Sequence, residues 1–198
     1  MNMVSLGARS FQGRPVAAGR SGTIAALDVG SSKISCFIAK IEPGRMSNGH
    51  APVRVIGIGH QVSRGIRAGA IVDMDAAEEA IRVAVDAAER MAGVTIREVV
   101  VGFSGAEPKS QTVGVRASIT GGEVSDGDLS RLIHHAQANF QPEGRDVMHA
   151  IPTNYSVDGS RGVRDPRGMF GEKLGVEVHM VSVLRGPLRN LELCIERC

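Results

Sequence analysis

A chain of 198 residues, 42% hydrophobic and 22% charged, has room for one full domain or two small ones of ordinary soluble composition. A net charge of +2 excludes general polyanion binding, and an aromatic content of 3%, with no Trp and a single Tyr, excludes a base-stacking platform, so no nucleic-acid partner is expected and the core must be aliphatic. Three cysteines, Cys36, Cys194 and Cys198, suit a reducing cytosol better than a disulfide framework, and no apolar run is long enough to span a bilayer.

Residues 1–22 carry Arg9, Arg14 and Arg20 and no acid. They lack the apolar middle of a secretory signal and read as a disordered basic tail, with an organelle transit peptide as the other reading. From Thr23 to Ile38 the chain then reads strand, tight turn, strand. The turn Asp28-Val29-Gly30-Ser31-Ser32-Lys33 joins a carboxylate, a glycine, hydroxyls and an ammonium at a sharp reversal, a chemistry suited to a nucleotide phosphate. Gly30 can adopt backbone angles closed to other residues, and the N–H groups from Gly30 to Lys33 could form an anion nest. Lys33 adds a point charge. Asp28 would repel phosphate directly, so its expected partner is Mg²⁺, reached through water. A plain hairpin turn uses the same residues and stays open as the alternative. No G-x-x-x-x-G-K-[ST] sequence occurs, so this is not a P-loop.

Pro43 to Pro52 reads as a polar loop and Val53 to Val62 as a third strand of an antiparallel meander. A glycine-punctuated link, Ser63 to Asp73, leads into a helix predicted over Met74 to Ala92. Its apolar positions Ala77, Ala80, Ile81, Ala84, Val85, Ala88 and Met91 recur at helical spacing, with Glu78 and Arg82 four apart on the wet face. Asp73 or Asp75 is the expected N-cap, Gly93 the stop, and Met74 and Met91 are expected core filler.

Val94 to Phe103 reads as a buried strand and Gln111 to Ile119 as an alternating one, broken at Gly121-Gly122. Ser125-Asp126-Gly127-Asp128 reads as a capping box opening a helix to about Phe140. Val147 to Val157 is a strand that Pro152 marks as an edge or a bulge. A polar loop follows, with Arg161, Arg164 and Arg167 as either an acidic-partner site or a solvated charged surface. Val176 to Leu184 alternates as a strand, and Pro187 sits in the first turn of a helix running to Cys198. His149 and His179 read as structural histidines. No nucleophile–base pair or carboxylate pair is legible, so no catalytic residue is assigned.

The order of these elements, together with specific residues, resembles the bacterial cell-division FtsA family of actin-like ATPases. The hairpin looks like its first phosphate loop. Ser63-Arg64-Gly65, Gly69 and Asp73 match its link into the first helix, and Phe103-Ser104-Gly105 matches the strand entering its inserted subdomain. His149-Ala150-Ile151-Pro152, Tyr155, Asp158, Asp165-Pro166-Arg167-Gly168-Met169, Gly171 and His179 match the far side of that insertion. The resemblance implies an α/β, actin-like (ribonuclease-H-like) ATPase subdomain, incomplete, with an inserted α+β strand-helix-strand-strand subdomain. Residues 23–96 would begin the nucleotide-binding part, 97–184 would be the insertion and 185–198 the start of the return.

It further implies a weak ATPase at most, with ATP and Mg²⁺ as cofactors held at Asp28, Gly30, Ser31, Ser32 and Lys33. It implies filament contacts with other FtsA protomers through residues 97–184, later division proteins on the same insertion, and assembly of the Z ring at the septum by tethering FtsZ to the cytoplasmic side of the inner membrane. Against the family pattern, no second Asp-x-Gly loop, no Gly-Gly adenosine loop and no terminal amphipathic membrane helix follow, and the FtsZ-binding region would lie beyond residue 198. This chain alone is therefore expected to bind ATP weakly or not at all and to be inactive. A small-molecule kinase of the actin and sugar-kinase superfamily, or a pilus-assembly actin homologue, is the alternative.

Overall fold

The computed structural model describes residues 22–42, 52–102 and 104–198. All of the predicted basic tail but Gly22, which opens the first strand, and most of the predicted loop from Pro43 to Pro52 lie outside these residues. The described residues fall into two units, one of residues up to Ala106 together with Arg185–Cys198, the other Glu107–Leu184.

In the first unit, alternation writes the sheet. β1 (Gly22–Val29) buries Ala25, Leu27 and Val29 on one face, and β2 (Lys33–Ile41) buries Ile34, Cys36 and Ile38 on the same face. The two pair antiparallel from Gly22↔Ile41 to Val29↔Ile34. β3 (Val53–Val62) adds to the outer side of β2, with one register shift at Ile38/Ala39. The helix α1 (Met74–Ala92) lies across this face, burying Ala77, Ala80, Ile81, Ala84 and Ala88.

The sequence makes that approach close by removing side chains from the strand. A β-carbon on Gly59 would stand 1.8 Å from the Ala84 carbonyl oxygen, and one on Gly57 2.3 Å from that of Ala88. Local chemistry fixes both ends of α1. The Asp73 carboxylate accepts from the Ala76 N–H at 3.1 Å, and Gly93, at φ 67°, donates to the Glu89 carbonyl. Arg82 pairs with Glu78 and Glu79 on the wet face. Met74 packs on the core as expected, whereas Met91 does not, being 64% exposed at the last turn.

The predicted strand from Val94 to Phe103 shrinks to β6 (Val100–Gly102), which pairs parallel to β1 through Ala26↔Val100 and Asp28↔Gly102. The residues before it run as irregular chain, in which the Ile96 N–H donates to the Glu89 carboxylate at 2.7 Å. The sheet order is β3-β2-β1-β6. Between β3 and α1, the link forms a two-residue ribbon of β4 (Ile66–Arg67) and β5 (Ala70–Ile71).

The second unit is an antiparallel sheet with one helix. β7 (Lys109–Ser118), β8 (Arg145–Val157), β9 (Ser160–Val163) and β10 (Lys173–Leu184) take the order β7-β10-β8-β9. The helix α2 (Asp126–Asn139) covers one face, where Leu129, Leu132 and Ala136 pack on Val157, Leu174, Val176, Val178 and Met180. Its start is a full capping box: the Asp128 N–H donates to Ser125 Oγ at 3.2 Å, and the Ser125 N–H donates to the Asp128 carboxylate at 3.0 Å.

Pro152 resolves as a bulge inside the sheet. The register slips at Glu177/Val178, opposite Thr153, and β9 pairs only with Tyr155 to Val157, so the proline needs no ladder donor on that side. β9 itself lies within the stretch predicted as loop. From Leu184 the chain passes into α3 (Arg185–Glu196), whose Leu191, Cys194 and Ile195 join the core of the first unit.

Candidate phosphate-binding turn

The turn between β1 and β2 sits at one end of the first sheet. Val29 and Ile34 close the ladder from the buried side, which leaves Asp28 on the opposite, exposed face. Gly30 is partly buried, and Ser31, Ser32 and Lys33 are exposed. Two details differ from the sequence reading. Gly30 is not in the left-handed region. Glycine is required there by close approach, since a β-carbon would stand 2.9 Å from the Lys33 carbonyl oxygen. The Gly30 N–H also donates to that carbonyl at 3.1 Å, so it is occupied in the turn, and the nest available to an anion centres on Ser31 and Ser32.

The structure brings the Ser63–Asp73 link against this turn. The Ser63 N–H donates to the Ser32 carbonyl at 3.1 Å, and the Gly69 N–H donates to Ser31 Oγ at 2.9 Å. Gly69 is presented by a tight reversal in which Ala68 (φ 48°) and Gly69 (φ 74°) are both left-handed, a strained state for alanine. Ser63 Oγ is buried and has no hydrogen-bond partner, the sole such side-chain atom among the described residues. A buried orphan hydroxyl beside an exposed, glycine-floored turn is a reason to look for a ligand there.

Asp28 lies opposite Gly102 in the β1–β6 register, and a β-carbon on Gly102 would meet its carboxylate at 3.6 Å. Among the described residues no three His, Cys, Asp or Glu side chains gather as a metal-ligand set. A cation at Asp28 would take its remaining ligands from water and phosphate oxygens, the usual habit of Mg²⁺. Asp28, Gly30, Ser31, Ser32 and Lys33 are thus contiguous, and Ser63 and Gly69 stand with them. Sequence reasoning placed the last two in a connecting link. The Ser-Arg-Gly at 63–65 and the glycine at 69 were the signal available.

Elsewhere the sequence candidates separate. Arg167 is tied to Asp126 at 2.6 Å and to Asp165 at 3.0 Å, while Arg161 lies on β9. His149 is exposed and His179 partly so, rather than enclosed as structural histidines. The three thiols are withdrawn from chemistry. Burial pushes Cys36 and Cys194 up to about 11 and Cys198 up to about 12, with neighbouring negative groups adding to the rise.

A family profile described as the SHS2 domain inserted in FtsA matches residues 105–182, the span of the second unit. The chain is 42% identical over 188 residues to the cell division protein FtsA of Agrobacterium fabrum and 41% identical over 189 residues to that of Rhizobium meliloti, in each case over 93% of this chain and 42% of the relative. Over the segment it spans, the chain is similar to FtsA proteins, and its second unit matches the domain inserted in them. Distance does not erase the match, since the Escherichia coli FtsA is 27% identical over 88% of this chain and 40% of its own length. The chain spans about two fifths of the length of these FtsA relatives. A chain of a PilM-PilN type IV pilus biogenesis complex superposes with a TM-score of 0.52 at 12% identity, over 87% of this chain and 44% of that one. That likeness carries the fold alone, the actin-like α/β class with an inserted α+β subdomain. No helix among the described residues is long and apolar enough to cross a membrane.

Proposed function

We propose that this chain is the phosphate-loop portion and the inserted interaction module of a cell-division adaptor of the FtsA type. Residues 23–106 and 185–198 belong to the nucleotide-binding part and 107–184 form the insertion. The observation that carries the nucleotide reading is the convergence of the Ser31–Ser32 apex, Gly69 and the orphan Ser63 hydroxyl at one end of the first sheet. Apex amides and the Lys33 ammonium would hold phosphate oxygens of ATP, and Asp28 would hold Mg²⁺ through water. The cation, when bound, supplies charge neutralisation between phosphates. Ser31 uses its side chain to fix the link and its backbone to meet the anion.

The clamp needs a second set of donors that this sequence does not contain, so binding by this chain alone is weak. In an NMR titration with millimolar Mg-ATP, shifts confined to Gly30–Lys33, Ser63 and Gly69, and abolished in Asp28→Ala, support the reading. A micromolar dissociation constant would refute the half-clamp argument, and shifts that map elsewhere would refute the site.

The second unit presents β7 as a sheet edge, from Lys109 to Ser118, with its outer side unpaired among the described strands. Such an edge can add a strand from another protomer, and a head-to-tail contact that does not close gives a filament. In this reading the filament, the later division proteins and FtsZ meet at the division site on the cytoplasmic face of the inner membrane. Normal polymerisation of an intact relative lacking residues 107–184 would refute the assembly role of this edge.

A further inference from the structure

The sheet of the second unit has a second face, turned away from α2, and a cleft of about 240 Å³ opens on it. Its floor and walls follow from register. Gly175 in the central strand β10 faces Arg116 on β7 and Ser156 on β8, and Ser156 faces Arg161 on β9. Two residues further along β10, Glu177 lies between Gly114 and Asn154. The glycine floor is required by its neighbours. A β-carbon on Gly175 would stand 2.5 Å from Ser156 Oγ and 3.4 Å from Arg116 Cγ.

Charge is segregated within this cleft. Among the described residues neither Arg116 nor Arg161 has an acidic partner, in contrast to Arg167 nearby, which has two. Lys173 lies on the same face, one row beyond Gly175 and opposite Ser118. The acid at the other end, Glu177, accepts from the Asn154 amide at 3.4 Å, and the Asn154 oxygen in turn accepts from the Gly162 N–H at 3.2 Å. Asn154 thereby ties Glu177 to the β8–β9 hairpin and leaves both guanidiniums without a counter-charge.

Two planar guanidiniums across a side-chain-free floor, with a hydroxyl between them, form a receptor for a carboxylate. Glu177, about 7 Å along the strand, would repel a second acid and favour a neutral or cationic neighbour. We infer that this cleft docks an acidic side chain of a partner polypeptide, the carboxylate lying between Arg116 and Arg161 over Gly175. This docking rests on charge complementarity within the second unit and is independent of nucleotide binding and of strand addition at β7.

The test is an NMR titration of the full ¹⁵N-labelled chain with the capped peptide Ala-Glu-Ala-Ala, with its Gln counterpart and with inorganic phosphate at matched ionic strength. The Glu peptide is expected to shift the amides of Arg116, Ser156, Arg161 and Gly175, and the Gln peptide is not. Arg116→Gln and Arg161→Gln should each weaken binding roughly tenfold, the scale of one lost charge-assisted contact. Arg64→Gln, in the other unit, should leave it unchanged. The spectra of the variants report that the fold is kept. Equal shifts with the Gln peptide, shifts outside the cleft, no shifts at all, or phosphate binding without peptide binding would each overturn the inference.

Discussion

Gly69 and Gly105 lie back to back, so that a β-carbon on Gly105 would stand 2.0 Å from the Gly69 carbonyl oxygen and one on Gly69 2.4 Å from the Gly105 Cα. Gly69 also donates its N–H to Ser31, so this contact braces the apex of the candidate phosphate turn from behind. Gly105→Ala should therefore push Gly69 away from Ser31, cost about 1–3 kcal/mol as an overpacked site does, and move the amide resonances of Ser31 and Gly69 together. Thermal unfolding and an amide spectrum of the variant check it. An unchanged Gly69 resonance would show that the brace is dispensable.

The same reasoning separates two strand glycines that sequence alone treats alike. Gly59 faces the backbone of α1 at 1.8 Å from where its β-carbon would be, whereas a β-carbon on Gly114 would meet nothing within 4 Å. Gly59→Ala should destabilise by about 3 kcal/mol because the helix must move off the sheet, while Gly114→Ala should be neutral or stabilising by about 0.5 kcal/mol through reduced backbone entropy of the unfolded chain. Denaturant midpoints of the two variants, measured side by side, decide it.

Asp128 sets a pH limit on the second unit. Its hydrogen bonds from the Ser125 side chain and backbone, with help from the Thr120 N–H and Arg131, hold its carboxyl down to about 2 from the usual 3.8. The folded state therefore favours the ionised form. The contribution is fully present above about pH 4 and is lost as pH falls through about 2. Acid unfolding followed by circular dichroism should show an earlier transition in wild type than a charge-free estimate gives. Asp128→Asn should flatten the profile in that window, at a cost near neutral pH of about 1 kcal/mol for the weakened cap.

The cysteines should be silent in the folded protein. With Cys36 and Cys194 raised to about 11 and Cys198 to about 12, only about one thiol in a thousand or fewer is ionised at pH 8. Reaction with a disulfide reagent should be slow until denaturant is added and then release three equivalents, matching the three cysteines of the sequence. A fast phase in the native protein would mean that α3, which carries Cys194 and leads to Cys198, opens readily.

Legibility followed range. α1 could be read to the residue because its cap at Asp73, its stop at Gly93 and its small-residue face are all local. The capping box of α2 was readable for the same reason. β6 was overdrawn because its three residues earn strand geometry only by pairing in parallel with β1, far back in the chain. β9 was missed because its Ser-Arg-Gly-Val carries no alternation and is a strand by courtesy of Tyr155 to Val157. In the candidate site, the Asp-x-Gly turn was visible as a motif. The roles of Ser63 and Gly69 were not, since both depend on which backbone comes to rest against the turn. Met91 has the right helical phase and yet is exposed in the last turn of α1, which periodicity alone could not show.

The insertion begins and ends on one rung, Lys109 standing opposite Ser182 in the β7–β10 ladder. Neighbouring strands lie about 5 Å apart, so the points where the chain enters and leaves the second unit are nearly a single point. To the rest of the chain, then, an excursion from Glu107 to Leu184 has the closure entropy of a tight turn once the module is folded. A module joined in this way can be lengthened, exchanged or excised by evolution, or by an experimenter, without stretching the host that carries it.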